Sequence, residues 1–264
     1  MNLQFLTFQV INIAKEAGKI IRENITNINS HSIETKGLND FVTEIDKLCE
    51  QKIVRHLEKL LPESGFITEE GTSEKVGKEF NWIIDPLDGT TNFIHGFFPC
   101  AVSIALKQND EIILGVVYEV GLDECFYAWK DGGSWLNEKR NRVSPTSILK
   151  DSLLATGFPY HEFKPLDKYI DLLKYLTKNT QGIRRLGSAA TDMAYVACGR
   201  FDGFYEYNLK SWDVAAGIVL INEAGGNICD FSGGNNYLFG KEIIATNNKI
   251  FSEFSSVVKK IMND

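Results

Sequence analysis

Histidine is scarce in this chain: His31, His56, His95 and His161 are the only four in 264 residues, and none lies near another in sequence. Such spacing argues against a histidine nucleophile or an imidazole-rich metal centre. The five cysteines (Cys49, Cys100, Cys125, Cys198 and Cys229) are odd in number and never spaced Cys-x-x-Cys. Neither a zinc site nor a disulfide framework is indicated, and reduced, mostly buried thiols in a cytoplasmic protein are expected. The first apolar residues are interrupted by Asn2, Gln4, Thr7, Gln9 and Asn12 with no basic segment before them, so no signal peptide or membrane span is read there. Internal repeats, low-complexity tracts and long linkers are lacking. Positive charge is in deficit: a net charge of −7 argues against nucleic acid as the main partner. An anionic small molecule would need local help, which bound cations supply.

The chain does have the means to build a large core. A hydrophobic content of 44% and a charged content of 24% are ordinary for a globular protein of this length. One domain over 1–264 is expected, with a division into about 1–145 and 146–264 left open.

Residues 82 to 92 read Trp-Ile-Ile-Asp-Pro-Leu-Asp-Gly-Thr-Thr-Asn. The apolar run Trp82-Ile83-Ile84 reads as a buried strand that delivers Asp85 to its end. Pro86 is expected to block continuation of the sheet, and Asp88 follows three residues after the first acid. Two carboxylates this close repel unless a cation lies between them. Gly89, Thr90 and Thr91 then offer a helix start, whose N–H groups suit phosphate. Taken alone, an Asp-x-x-Asp turn is an ordinary helix cap. Here the proline, glycine and paired threonines each have a separate use at a fixed offset, and together they describe a metal-assisted phosphate site.

A second stretch adds to it. Glu206 closes Phe201-Asp-Gly-Phe-Tyr-Glu206, and Asp213 in Ser211-Trp-Asp213 opens an apolar run (Val214, Ile218, Ile221) ending at Gly225-Gly226. Asp213 therefore stands at a helix start, where plain capping is its other reading.

Elsewhere, Leu3, Leu6, Val10, Ile13, Ala17 and Ile20 mark an amphipathic first helix. The second is expected over about 43–61, with Ile45, Leu48, Cys49, Ile53, Leu57 and Leu60 inward and Asp46 in its first turn. Strands are read at 66–68, delivering Glu69, and at 82–84. An antiparallel stretch follows at 101–107, 112–118 and 124–129. Later helices are read at 166–178, 189–197, 213–224 and 249–262, with strands near Leu153, Ile183, Phe204, Ile228 and Ile243 between them. A mixed α/β fold of packed layers follows.

These residues resemble the inositol monophosphatase family, within the lithium-sensitive, magnesium-dependent sugar phosphatases. The signatures are Trp82 to Asn92 and Trp212 to Gly226, supported by Asp40 to Asp46, Thr68-Glu69-Glu70 and Gly187-Ser188-Ala189-Ala190. The likeness spans the chain and is nearest to the bacterial inositol-1-monophosphatase type, through Arg184-Arg185-Leu186-Gly187-Ser188-Ala189-Ala190. Two departures are Ser188, where many relatives have threonine, and a short loop between Glu70 and Phe80 that bears on closure over the metals.

The resemblance implies a five-layer α-β-α-β-α sandwich shared with fructose bisphosphatases, a homodimer, and two or three magnesium ions. It implies that Glu69, Asp85 and the Leu87 carbonyl hold one ion, and Asp85, Asp88 and Asp213 another. All are hard oxygen ligands, the kind magnesium takes. Thr90 and Glu69 would activate the attacking water, with Asp46 behind Thr90; the other reading of Asp46 is a first-turn acid facing the helix dipole. Gly89 and Thr91 would contact the phosphate, and Gly187, Ser188, Ala189 and Glu206 the alcohol part of a small phosphomonoester. Arg184 and Arg185 are expected to be solvated or structural, outside the site. Inositol 1-phosphate is the expected substrate; a broader sugar phosphatase acting also on fructose 1,6-bisphosphate, and a regulatory binding protein on the same fold, are the alternatives.

Overall fold

In the computed structural model, the apolar run before Asp85 faces two cores at once. Trp82 and Ile84 pack on one side of their sheet and Ile83 on the other, as strand alternation requires. The structure describes residues 1–25, 33–37, 40–159 and 163–263, with the backbone alone at 33–37 and 40–43. His31 and His161 lie outside the described residues, as do the side chains of 40–43 in the segment leading to Asp46.

The chain opens with α1 (Leu3–Asn24), the hairpin β1 (Ile33–Gly37) and β2 (Asp40–Thr43), and α2 (Glu44–Leu60). Next come β3 (Gly65–Thr68), β4 (Phe80–Asp88) and the short α3 (Thr90–Ile94). A meander follows: β5 (Ala101–Gln108), β6 (Glu111–Glu119), β7 (Glu124–Trp129), β8 (Gly133–Leu136) and β9 (Lys139–Arg140). The second half holds β10 (Leu153–Thr156), α4 (Leu166–Asn179), β11 (Gly182–Arg184), α5 (Ala189–Ala197) and β12 (Gly203–Tyr207). It closes with α6 (Ser211–Glu223), β13 (Gly226–Cys229), β14 (Glu242–Asn247) and α7 (Phe251–Asn263).

Two mixed sheets result. Strands β3 to β9 form a seven-stranded sheet in sequence order, parallel only between β3 and β4. The five-stranded sheet runs β11-β10-β12-β14-β13. Three apolar cores fill the spaces between layers. Helices α1 and α2 cover one face of the large sheet, α5 and α6 lie between the two sheets, and α4 and α7 cover the far face of the small one. This is the expected α-β-α-β-α stacking. Helix α6 is apolar on nearly all sides because it is sandwiched between sheets. Close approach there requires Gly115 on β6, where a Cβ would come within 2.7 Å of the Ala216 carbonyl.

Three expectations need correction. Strand β4 does not stop before Pro86 but runs through it to Asp88. A register shift between Asp85 and Asp88 sets three steps of β4 against two of β5, Asp85 opposite Ser103 and Asp88 opposite Ala101. Such a bulge accommodates a residue without an N–H. Leu87, next to it, packs with Trp82 and Ile84 on the α1/α2 side. Second, Leu48 is 48% exposed, because the inward stripe of α2 runs through Asp46, Cys49, Ile53 and Leu57, one residue away. Third, β8 and β9 were not expected, since Gly132-Gly133 reads as a terminal turn rather than as the start of another strand. All five cysteines are free, and all but Cys198 are fully buried.

Candidate active site

Parallel pairing starts the site. Because Thr68 lies beside Ile84, the next residues of β3 and β4, Glu69 and Asp85, leave the same end of the sheet together. Glu69 donates its N–H to the Ile84 carbonyl at 3.3 Å. Asp85 is only 2% exposed and accepts the Leu87 N–H at 2.9 Å, across the proline. Burial, then the charges of Glu69, Asp88 and Asp213, push the Asp85 carboxyl well above the usual carboxylate range. Four carboxylates thus converge, from β3, β4 and the first turn of α6.

The remaining members are held in place by named contacts. Asp88 Oδ2 accepts the Ser188 hydroxyl at 2.6 Å and the Ala190 N–H at 2.7 Å, at the start of α5. Burial raises Asp88 to about 6, while these bonds and N–H groups of Ala189 and Gly89 act against it. Ser188 also caps α5 by accepting the Thr191 N–H. Asp213 accepts the Lys210 N–H at 2.7 Å at the N-terminus of α6, so its helix-start position is as expected. The Ser103 hydroxyl on β5 reaches the Trp212 carbonyl at 3.3 Å and ties the start of α6 to the large sheet.

Gly89 stands at the N-cap of α3 with φ of 93°, a left-handed conformation that glycine adopts without strain, and it leaves that helix without a side-chain cap. Thr90 and Thr91 form the first turn. The Thr90 hydroxyl lies 3.1 Å from Asp46 Oδ1 and 3.0 Å from the Leu87 carbonyl. Asp46 is 1% exposed, in the first turn of α2.

Glu206 lies on β12, buried, and opposite Gly157, where a Cβ would come within 2.2 Å of its carboxylate. Its carboxyl is pushed well above the ordinary range by burial and the Asp213 charge, against the pull of Arg185.

The Ser188 hydroxyl is engaged by Asp88. One expected placement changes. Arg185, expected outside, puts its charge on Glu206 and on the buried Asp192. Three supporting residues escaped the sequence reading. Fully buried Glu50, one turn beyond Asp46 on α2, accepts the N–H groups of Glu70 and Thr72 at 2.8 and 2.9 Å and so shapes the chain after Glu69. Its signal was an acid on an inward helical face. Asn92 donates to the Pro99 and Leu186 carbonyls, both at 2.8 Å, joining α3 to the segment before α5. Asp192, at the buried start of α5, carried no signal beyond its place after the Gly187-Ser188 turn. His95 is exposed, near the end of α3.

Among the described residues no three acidic, thiol or imidazole groups close into a ready metal cage. The donor set nonetheless fits a hard divalent cation: it is all carboxylate and carbonyl, with Asp85 and Leu87 buried and the other acids half-buried, and it is self-repelling in the cation's absence.

Known proteins share this fold and much of this sequence. The chain is 42% identical over 255 residues to Nus factor SuhB of Pseudomonas aeruginosa, covering 93% of each. It is 38% identical over 252 residues to the inositol-1-monophosphatase of Mesorhizobium japonicum, covering 95% of each. Among solved structures, the extragenic suppressor protein suhB of Bartonella henselae superposes with a TM-score of 0.90 at 39% identity, over 97% of this chain and 98% of that one. The Thermotoga maritima IMPase gives 0.87 at 36%, over 96% of each. With its fold shared and the family profile matched over residues 2–262, the chain belongs to the inositol monophosphatase family.

Proposed function

We propose that the chain is a magnesium-dependent phosphatase that hydrolyses a small phosphomonoester, inositol 1-phosphate first among candidates, by attack of an activated water. One observation carries this reading: Glu69, Asp85, Asp88 and Asp213 converge at one sheet end, where their mutual repulsion calls for cations. Glu69, Asp85 and the Leu87 carbonyl would hold one ion, and Asp85, Asp88 and Asp213 a second; a third is left to the Glu69 side. When bound, magnesium supplies Lewis acidity toward the phosphate oxygens and lowers the pKa of water.

The chain's own residues do the rest. Thr90 Oγ1 takes a proton from water as its own proton passes to Asp46, the carboxylate already within 3.1 Å. Glu69 orients the same water. Gly89, Thr90 and Thr91 offer N–H groups to the phosphate, with Asp88 and Asp213 beside it. Glu206 accepts alcohol hydroxyls at the far side, helped by the Gly187, Ser188 and Ala189 turn.

A broader sugar phosphatase uses the same machinery and differs only in the alcohol pocket. A regulatory role is favoured by a separate observation, the name Nus factor SuhB borne by several relatives. A cytoplasmic homodimer is consistent with either role. No helix among the described residues is long and apolar enough to cross a membrane.

The deciding experiment is a phosphate-release panel over inositol, fructose, nucleotide and histidinol phosphates with magnesium present. Preference for inositol 1-phosphate, abolished by chelator, is expected. Full turnover in chelator would end the metal-assisted reading, and no turnover on any ester would leave the regulatory one.

A further inference from the structure

Away from these carboxylates, a cavity of about 450 Å³ opens where the two sheets meet. Its floor is formed by β8, the linker after β9 and the C-terminal end of α6. Two residues of its lining, Ser134 and Asn141, keep their side-chain polar atoms buried beneath its surface, without a hydrogen-bond partner among the described residues. The groups that reach the opening are charged.

The charge at its rim identifies the occupant. Arg140, Arg142 and Lys249 surround the opening in a chain whose net charge is −7. Arg142 and Lys249 are exposed and make no ion pair or side-chain hydrogen bond among the described residues. Arg140 is fixed over the Trp135 ring, 5.5 Å from its centroid, with one N–H on the Gly132 carbonyl. The single acid in the lining, Glu223, is already engaged: it accepts the N–H groups of Asp131 and Gly133 at 2.9 and 2.7 Å. At Gly225 a Cβ would meet nothing within 4 Å, so the cavity is open on that side.

We propose that this cavity is a second, non-catalytic site for a phosphate group, free or carried on a small molecule. Guanidinium and ammonium groups around one opening suit a phosphate's several acceptor oxygens, and the volume admits a small phosphate ester. Helix α6 joins it to the carboxylate cluster, with Asp213 in its first turn and Glu223 at its end, about 15 Å apart along the axis.

The test is calorimetric titration of the full-length protein with inorganic phosphate and with glycerol 3-phosphate, each with and without magnesium. Binding that persists without magnesium is expected, weakened roughly tenfold or more in Arg142→Ala/Lys249→Ala. Hydrolysis by that variant should be unchanged. Tighter binding of the ester than of the free ion assigns the site to a phosphorylated molecule, and the reverse to the ion itself. Absence of magnesium-independent binding overturns the proposal and leaves the cavity to water. Equal weakening in the control pair Lys19→Ala/Lys59→Ala, exposed cations elsewhere, overturns it as well.

Discussion

Thr90 Oγ1 stands 3.1 Å from Asp46 Oδ1, a contact between α3 and α2 made across 44 residues of chain. A first-turn acid acting only on its helix dipole would have no need of it. If the two form one proton path, Thr90→Ala and Asp46→Asn each lower kcat, and the double variant loses little beyond the worse single one. Additive losses in steady-state kinetics would assign Asp46 to its helix alone.

Asp85→Asn and Asp213→Asn remove one carboxylate at the β4 bulge and one in the first turn of α6, rather than apolar core groups. Turnover should fall by orders of magnitude with the fold kept. Thermal melts supply the second reading. Magnesium should raise the Tm of the unaltered protein, since ligand bound to the native state stabilises it, and raise that of either variant far less. Variants that melt early yet keep normal specific activity would make these residues structural.

Ser188→Ala deletes a 2.6 Å bond to Asp88 without touching any carboxylate. Residues that orient metal ligands from behind are worth about 10- to 100-fold in metal affinity. The magnesium concentration for half-maximal activity should rise within that range, and Ser188→Thr, which keeps the hydroxyl, should restore it.

Glu206 is the best placed group to tell one phosphate ester from another, since every competitor carries the phosphate. A charged hydrogen bond to a hydroxyl is worth on the order of 1.5–3 kcal/mol. Glu206→Ala should lower kcat/KM on inositol 1-phosphate by roughly ten- to a hundredfold, and far less on p-nitrophenyl phosphate, which has no hydroxyls to offer. Equal losses on both would place Glu206 in support of the carboxylate cluster.

Asp192 gives a pH signature. Burial, with Glu206 and Asp88 nearby, raises its carboxyl well above the ordinary range, and its Oδ1 has no hydrogen-bond partner among the described residues. The folded protein therefore binds this proton more tightly than the unfolded chain, and stability falls as pH rises from the unfolded pKa toward the raised folded one. Asp192→Asn should be near-neutral below about pH 4, where the acid is protonated in both states. It should raise the Tm at pH 7 to 8. An unchanged Tm difference across that range would show that the acid does not titrate differently on folding.

Much of this was legible in the sequence because local rules and burial agreed. Helices α1, α4 and α5 follow from apolar spacing, and the meander β5 to β7 from alternation and its polar turns. Asp85, Asp88 and Asp213 were readable because each stands where an apolar run meets a turn. What escaped depends on partners distant in sequence. Nothing local shows that Glu50 carries the backbone of Glu70 and Thr72, or that Ser188 binds Asp88 a hundred residues earlier. Arg185 looked like a solvated or structural residue because its neighbours Glu206 and Asp192 arrive only with the small sheet and α5.

The bulge in β4 bears on parity. Positions three apart in an unbroken strand point to opposite faces, so Asp85 and Asp88 would be divided between the two sides of the large sheet. The extra residue reverses the count after Asp85: Leu87 drops to the α1/α2 side, and Asp88 returns to the side of α6, where Ser103 and Ala101 also face. An odd spacing in sequence thereby becomes a shared face in space. A strand that ran straight through 85–88 without the bulge would keep every side chain of the motif and still divide its two acids between opposite faces.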